Sequence, residues 1–478
     1  MTADLLRARR SATDAQAVPA HPLPVPIPEV REAALRPFGR PGRAYWVLVG
    51  GLAVVVAAAL VAWIYQLREG LAVAGYNDQA FWAIYMADVI TFIGVSYGGA
   101  VVSAILRLTG ATWRGPLTRI AEATAVVTVL VGAALIVPHL GRPDRIWELV
   151  TRPQMASPIV WDFIAVTTYA ATSIAFFVLP LIPDLAIARE QLGARLGPRR
   201  GRLYGALVGR WSGTPAQRRV LRSALGILAL LVVPLAVSVH SVLGWSFALT
   251  SRPWWHESIW PPYFVVAALY SGVALVILVV AAFRRGYHLE HHITERHFVH
   301  LAYIMATLGA LYLYFTFADF LPDAYVGQPG VETVFQAVLV GRFAVWFWLF
   351  VAAAGVIPLA LVALPATRHT LGIVVAAGLV VPAMWLKRML MVTVPGTYER
   401  VAGTFGTYHF TWVSVTITLG ALAAIPLLLL LLFRIVPILS IDEMEELAAL
   451  TGEADLRVAP QPLAAGAPTP APIEGHQL

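Results

Sequence analysis

The 478-residue chain has no cysteine, and only 13% of it is charged. Soluble domains usually carry about 25% charged residues. With 59% hydrophobic residues and a mean hydropathy of +0.73, the composition excludes an ordinary globular enzyme. The missing cysteine excludes disulfides, Cys-ligated zinc, Cys-ligated iron–sulfur clusters and thioether-linked haem within the chain. If electrons pass through, the cluster or haem that carries them is expected on a partner. The net charge of +7 is no signature of nucleic-acid binding, because the basic residues have a membrane explanation.

What the chain has instead is long apolar runs. A transmembrane helix needs about 20 mostly apolar residues. Runs of that kind lie near 45–65, 80–106, 119–137, 159–181, 223–248, 261–283, 297–319, 335–364, 370–393 and 407–433. They predict an all-α integral membrane protein of about ten transmembrane helices. The first run starts too far from the N-terminus and is too long for a cleaved signal peptide. The expected organisation is a Pro-rich N-terminal arm (1–43), a transmembrane domain (44–435) and a C-terminal tail (436–478). Residues 18–28 alternate proline with small or apolar residues, which favours an extended polyproline-like arm. The tail begins with an acidic helical stretch, Asp442 to Glu446, and becomes Ala/Pro-rich.

Arginine sets the orientation. With the N-terminus inside, the inner segments hold about 25 of the 34 basic residues, and the 182–222 loop alone carries nine Arg. Basic loops stay cytoplasmic. Both termini are therefore expected to be cytoplasmic, in a multi-pass protein of the bacterial inner membrane.

Charged residues inside a bilayer are costly and need a reason. Asp88, Glu122, His139, Asp162, His240, His300, Asp319, Arg342, Lys387, Arg388 and His409 fall in or near the runs. With this topology all but Glu122 and His300 lie toward the outer face. The sharpest local motif is Pro138-His139-Leu140-Gly141-Arg142-Pro143, followed by Trp161-Asp162. Pro138 ends or kinks the third helix and presents His139 at the boundary. The fourth helix then supplies Asp162 at a similar depth. An imidazole and a carboxylate facing one apolar cavity suit acceptance of protons from a hydroquinone. A structural His–Asp or Arg–Asp pair closing the outer loop is the other reading of the same residues.

The ten spans, His139-Leu140-Gly141-Arg142-Pro143 and Trp161-Asp162 resemble the NrfD/polysulfide-reductase membrane-anchor family. The length, arm and tail are most similar to the ActC-type subunit of bacterial alternative complex III, with the homologous ActF-type subunit as the alternative. The resemblance implies two four-helix bundles, helices 2–5 and 6–9, flanked by helices 1 and 10. The first bundle with helix 1 is then 44–250 and holds the quinol site; the second with helix 10 is 251–435. It implies menaquinol or another quinol as substrate, and no haem, iron–sulfur cluster or metal within the chain. His139 and Asp162 carry over as the catalytic pair. Asp88, His240 and Arg142 are further quinol-site candidates. Asp88, Glu122, His300, Asp319 and Arg342 are candidates for a proton path. The implied partners are a peripheral iron–sulfur subunit on the periplasmic face, multihaem cytochromes of the c type, a homologous ten-helix subunit and small membrane subunits. Other classes remain open: an anchor of a polysulfide- or nitrite-reductase-type molybdoenzyme, or a transporter. A di-haem cytochrome b fits poorly, because the membrane histidines do not recur in axial pairs.

Overall fold

The computed structural model describes residues 27–328 and 330–447. Ten helices among them are long and apolar enough to cross a membrane. They are α1 (Arg43–Glu69), α2 (Ile84–Leu108), α3 (Thr112–Leu140), α4 (Pro158–Leu192), α5 (Pro215–Ala248), α6 (Trp260–Gly286), α7 (Glu295–Val326), α8 (Ala344–Ala363), α9 (Thr370–Thr397) and α10 (Trp412–Leu432). A two-residue hairpin, Tyr398–Glu399 with Thr404–Phe405, is the only sheet among the described residues.

Packing closes two rings of four. In one, α2 packs on α3, α3 on α4, α4 on α5, and α5 back on α2. In the other, α6, α7, α8 and α9 meet in the same cyclic way. The rings join where α2 lies against α6, and α1 pairs with α10 beside α2 and α3. Helix α2 is therefore buried along almost its whole length, whereas α1 is mostly exposed.

Two departures from the expected layout have local causes. Ile27 and Pro28 do not continue an extended arm: they open a helix, Ile27–Leu35. Proline is tolerated in a first helical turn, where its missing N–H has no partner to lose. Residues 18–26 lie outside the described residues. The eighth run is not one helix from 335. A short helix, Val331–Leu339, ends before Gly341 and Arg342, and α8 starts at Ala344. Arg342 is exposed in that break, its guanidinium 4.8 Å over the Phe343 ring. A charge next to glycine leaves the apolar layer more readily than it enters a span. His409 likewise sits in the loop before α10.

Both described chain ends lie on one face. The acidic segment 441–447 is helical. Glu443 pairs with Arg114 at 2.6 Å and Arg107 at 3.3 Å, and Glu445 with Arg31 at 2.7 Å. Asp442 and Glu446 reach Arg218 and Arg222 of the 182–222 stretch. Beneath them, Arg119 and Asp184 form a fully buried pair at 2.6 Å, and the Asp184 carboxylate also accepts the Asp442 amide.

Candidate functional site

At the opposite face, α3 ends on Pro138-His139-Leu140, and Gly141 caps it in the left-handed region at φ 68°. Gln66 of α1 reads this end: its amide donates to the Pro138 carbonyl at 2.9 Å, and its carbonyl accepts from Tyr85 at 2.6 Å. The His139 ring lies beside Tyr76, 6.3 Å between centroids. His139 Nδ1 is buried and has no hydrogen-bond partner. The Tyr76 hydroxyl accepts from the Tyr85 amide and keeps its own proton to donate. Burial, reinforced by the neighbouring Tyr408, holds that hydroxyl well above its ordinary titration range.

Asp162 stands in the second turn of α4. Ser246 of α5 donates to one carboxylate oxygen at 3.2 Å, and the other oxygen is buried and free. Tyr97 of α2 and His240 of α5 form another polar pair in the same ring. Tyr97 hydrogen-bonds His240 Nδ1 at 2.8 Å, and the ring of Tyr169 packs on it at 4.8 Å. His240 is fully buried and its Nε2 has no partner. Glycine at 94 makes room for it: a Cβ there would stand 2.9 Å from that nitrogen.

His139 and Asp162 thus sit in two separate polar groups. No hydrogen bond joins them among the described residues. One group contains His139, Tyr76, Tyr85 and Gln66; Asp162 with Ser246 forms another, and Tyr97 with His240 a third. Each ends in a buried polar atom without a partner, and such atoms call for a ligand, a water or an ion.

The remaining candidates are placed elsewhere. Asp88 accepts from Trp385 of α9 at 2.7 Å and from Thr418 of α10, so it ties three helices together. Arg142 is exposed and grips its loop neighbour Asp144 through two bonds, 3.0 and 2.8 Å. Glu122 accepts from Ser103 at 2.8 Å near the opposite face, with its second oxygen free. His300 packs on Trp113 at that same end, 4.8 Å between ring centroids. Asp319 lies in the second ring, accepting from Trp254 at 2.8 Å and Trp260 at 3.2 Å. No continuous hydrogen-bonded chain links the proton-path candidates Asp88, Glu122, His300, Asp319 and Arg342 among the described residues.

Beside Asp319 lies a charged residue of the apolar runs that the expected site residues do not include. Lys387 is the only lysine of the whole chain; the other basic residues are all arginine. Its side chain is fully buried, and its ammonium has no hydrogen-bond acceptor. It stands 4.4 Å over the Trp254 ring and within 6 Å of Tyr263, Phe320, Phe347 and Phe350. Trp254 thus carries a cation on its face and a carboxylate on its N–H. It does so from a left-handed backbone at φ 68°, strained for a tryptophan. The single-lysine usage is the sequence signal that would have found this site. Tyr97 and Gln66 gave no such signal, because one hydroxyl or amide in an apolar run looks like ordinary core.

No group of three or more His, Cys, Asp or Glu with metal-site geometry occurs among the described residues. The profile of the family described as "Polysulphide reductase, NrfD" matches residues 72–402. A protein of Halobacterium salinarum, provisionally named as a membrane subunit of a dimethyl sulfoxide reductase, is 28% identical over 85% of this chain and 94% of its own length. The Hdr-like menaquinol oxidoreductase integral membrane subunit of Archaeoglobus fulgidus is 24% identical over 84% of this chain and 96% of its own. A selenate reductase subunit of Mesobacillus selenatarsenatis is 22% identical over 48% of this chain and 55% of its own.

Proposed function

The chain belongs to the NrfD polysulphide reductase family, and from that premise we propose that it is a quinol-oxidising membrane subunit of an electron-transfer complex of the alternative complex III type. One relative is named as a menaquinol oxidoreductase subunit, and two as subunits of reductases. Quinol oxidation is the reaction those names share most readily with a membrane chain that has no cysteine. The observation that carries the reading is the pair of unpartnered buried atoms, His139 Nδ1 and Asp162 Oδ1, on the consecutive spans α3 and α4.

The chemistry balances simply. A quinol releases two protons and two electrons and becomes a quinone. The electrons go to an iron–sulfur subunit docked on the face that carries 70–83 and 141–157. One hydroxyl proton passes to His139, steadied by Gln66 on the helix end behind it. The other passes to the free oxygen of Asp162, whose second oxygen stays on Ser246. His240, less than two turns along α5 from Ser246, offers a further acceptor through its unpartnered Nε2. Protons leave on the same face, taken as periplasmic. Losing a proton-transfer group typically costs about 10²–10⁴-fold in rate. His139→Ala and Asp162→Asn are therefore expected to assemble and to lose most turnover with a menaquinol analogue. Turnover per assembled complex near the wild-type value in both would sink the site. An anchor for a molybdoenzyme is the rival, favoured by the two reductase names; identification of the co-purifying catalytic partner separates the two.

A second reading concerns proton translocation, and Lys387 supports it. A guanidinium does not give up its proton in a protein, whereas an amine does. One lysine among 33 arginines, buried beside Asp319, fits a proton-exchanging pair better than a fixed charge. Lys387→Arg keeps the cation, and Lys387→Met keeps only the stem. If Lys387 exchanges protons, both variants oxidise quinol but lose proton uptake in proteoliposomes. If it is a fixed charge in an aromatic cage, the arginine variant keeps uptake.

A further inference from the structure

A groove of about 730 Å³ opens sideways between α1, α6 and α10, at the face that carries both described chain ends. Its floor is apolar. Leu275, Leu278, Val279 and Ala282 give one stripe of α6, and Leu422, Ile425 and Leu429 the facing stripe of α10. Its mouth is basic. Arg36, Arg40 and Arg434 line it, and no Asp or Glu does. Arg36 and Arg434 are partly engaged, donating to loop carbonyls at Tyr287 and at Gly39. Arg40 is exposed and has no partner among the described residues. The N-terminus of α1 opens at the same mouth, with Gly42 as N-cap, no side-chain cap and no acidic residue in its first turn.

We propose that this groove binds one anionic phospholipid of the inner leaflet, its phosphate at the three arginines and an acyl chain along the α6 and α10 stripes. Three observations select that occupant. The first is charge: three cations without a carboxylate match a phosphodiester and give a neutral quinone head no proton donor or acceptor pair. Basic pockets between transmembrane helices on the cytoplasmic side are typical anionic head-group sites. The second is length. From Leu275 to Gly286, α6 rises about 16 Å at 1.5 Å per residue, close to half of a hydrocarbon core about 30 Å thick. A lipid fills one leaflet; a partner's transmembrane helix would need a groove running the full depth. The third is position: the arginines lie at the membrane boundary and the apolar stripes below them, the order of head and tail in a lipid. The site is remote from His139 and Asp162, so its fate leaves the quinol reading untouched.

The test uses the purified full chain in nanodiscs that contain equal phosphatidylglycerol and phosphatidylcholine. Lipids retained after transfer to detergent are counted by native mass spectrometry. The wild type is expected to keep one phosphatidylglycerol in preference to phosphatidylcholine. A single arginine near a membrane surface is worth about fivefold in binding. Arg40→Gln should cut the preference by about that factor without changing the melting temperature, since Arg40 holds nothing else. Ala282→Trp projects a ring into the groove from its floor and should abolish retention of either lipid. Equal retention of the two lipids by the wild type overturns the proposal. So does an undiminished phosphatidylglycerol adduct in Ala282→Trp, or co-purification of a quinone in place of the lipid.

Discussion

A buried polar atom without a partner costs about 1–3 kcal/mol. His139, Asp162, His240 and Lys387 each carry one. All four stand in the halves of their helices nearest the loops 70–83, 141–157 and 249–259. Glu257, in the last of these loops, shows what such crowding does to a carboxyl group outside the spans. Burial, and then Asp323 and Asp319, push it up to about 8. Unfolded, a glutamate ionises near pH ~4.3. Between those values the folded chain holds a proton that the unfolded chain has released, so stability falls as pH rises through the window. Glu257→Gln removes this dependence. Its melting temperature should exceed that of the wild type by a margin that grows from pH 5 to 8 and levels off above. A margin independent of pH would show that Glu257 ionises normally. The polar residues themselves were legible in the sequence, because a charge in an apolar run stands out. Their grouping was not: His139 and Asp162 read as one pair, and the fold gives each its own supporting residues. Hydropathy ranks residues along a helix and says nothing of which face they take.

At the scale of the helix, small residues decide how closely the two rings approach. A Cβ on Gly98 would stand 1.9 Å from the Gly272 backbone, and one on Gly272 2.5 Å from the Gly98 amide. Backbones meet there with nothing between them, as glycine allows in membrane helix pairs. Gly272→Ala should force α2 and α6 apart and cost about 1–3 kcal/mol or more, as overpacking usually does. Gly226→Ala, with open space around its new methyl, is the control and should leave the melting temperature unchanged or raise it. Equal melting of both variants would mean that the α2–α6 crossing is loose. The ten spans were legible from hydropathy alone, since only length and apolarity are needed. Their ends were legible only where proline or a run of arginine marks them. The break at Gly341-Arg342 was hidden inside one apolar run. So was the π-helical turn Ala352–Val356, whose Ala354 carbonyl accepts from Tyr270 at 2.6 Å. Each depends on a neighbour outside the run.

Over the whole molecule, the fold sorts the chain into two unlike faces. One gathers the helix 27–35, the loops after α2, α4, α6 and α8, and the acidic helix 441–447, which is held by Arg31 of the first helix and by Arg114 and Arg218 at the starts of α3 and α5. The other gathers the loops around His139, Asp162 and Glu257. Positive charge therefore concentrates opposite the candidate quinol site, and arginine-rich loops remain cytoplasmic. The direction in which quinol protons leave rests on that orientation, so it is the step to measure. The chain has no native cysteine, and single cysteines can be introduced without background. Ala216→Cys sits in an exposed stretch at the start of α5, on the arginine-rich face. Val401→Cys sits at the 398–405 hairpin on the other face, at a residue 98% exposed. In intact spheroplasts a membrane-impermeant maleimide should label the cysteine at 401 and spare the one at 216, and lysis should expose both. The reverse pattern would turn the molecule over. It would put His139 and Asp162 on the cytoplasmic side, and quinol oxidation there would release its protons inward. Labelling of both sites in intact cells would instead contradict the odd number of spans, α5 to α9, that separates them and must leave them on opposite sides of the membrane.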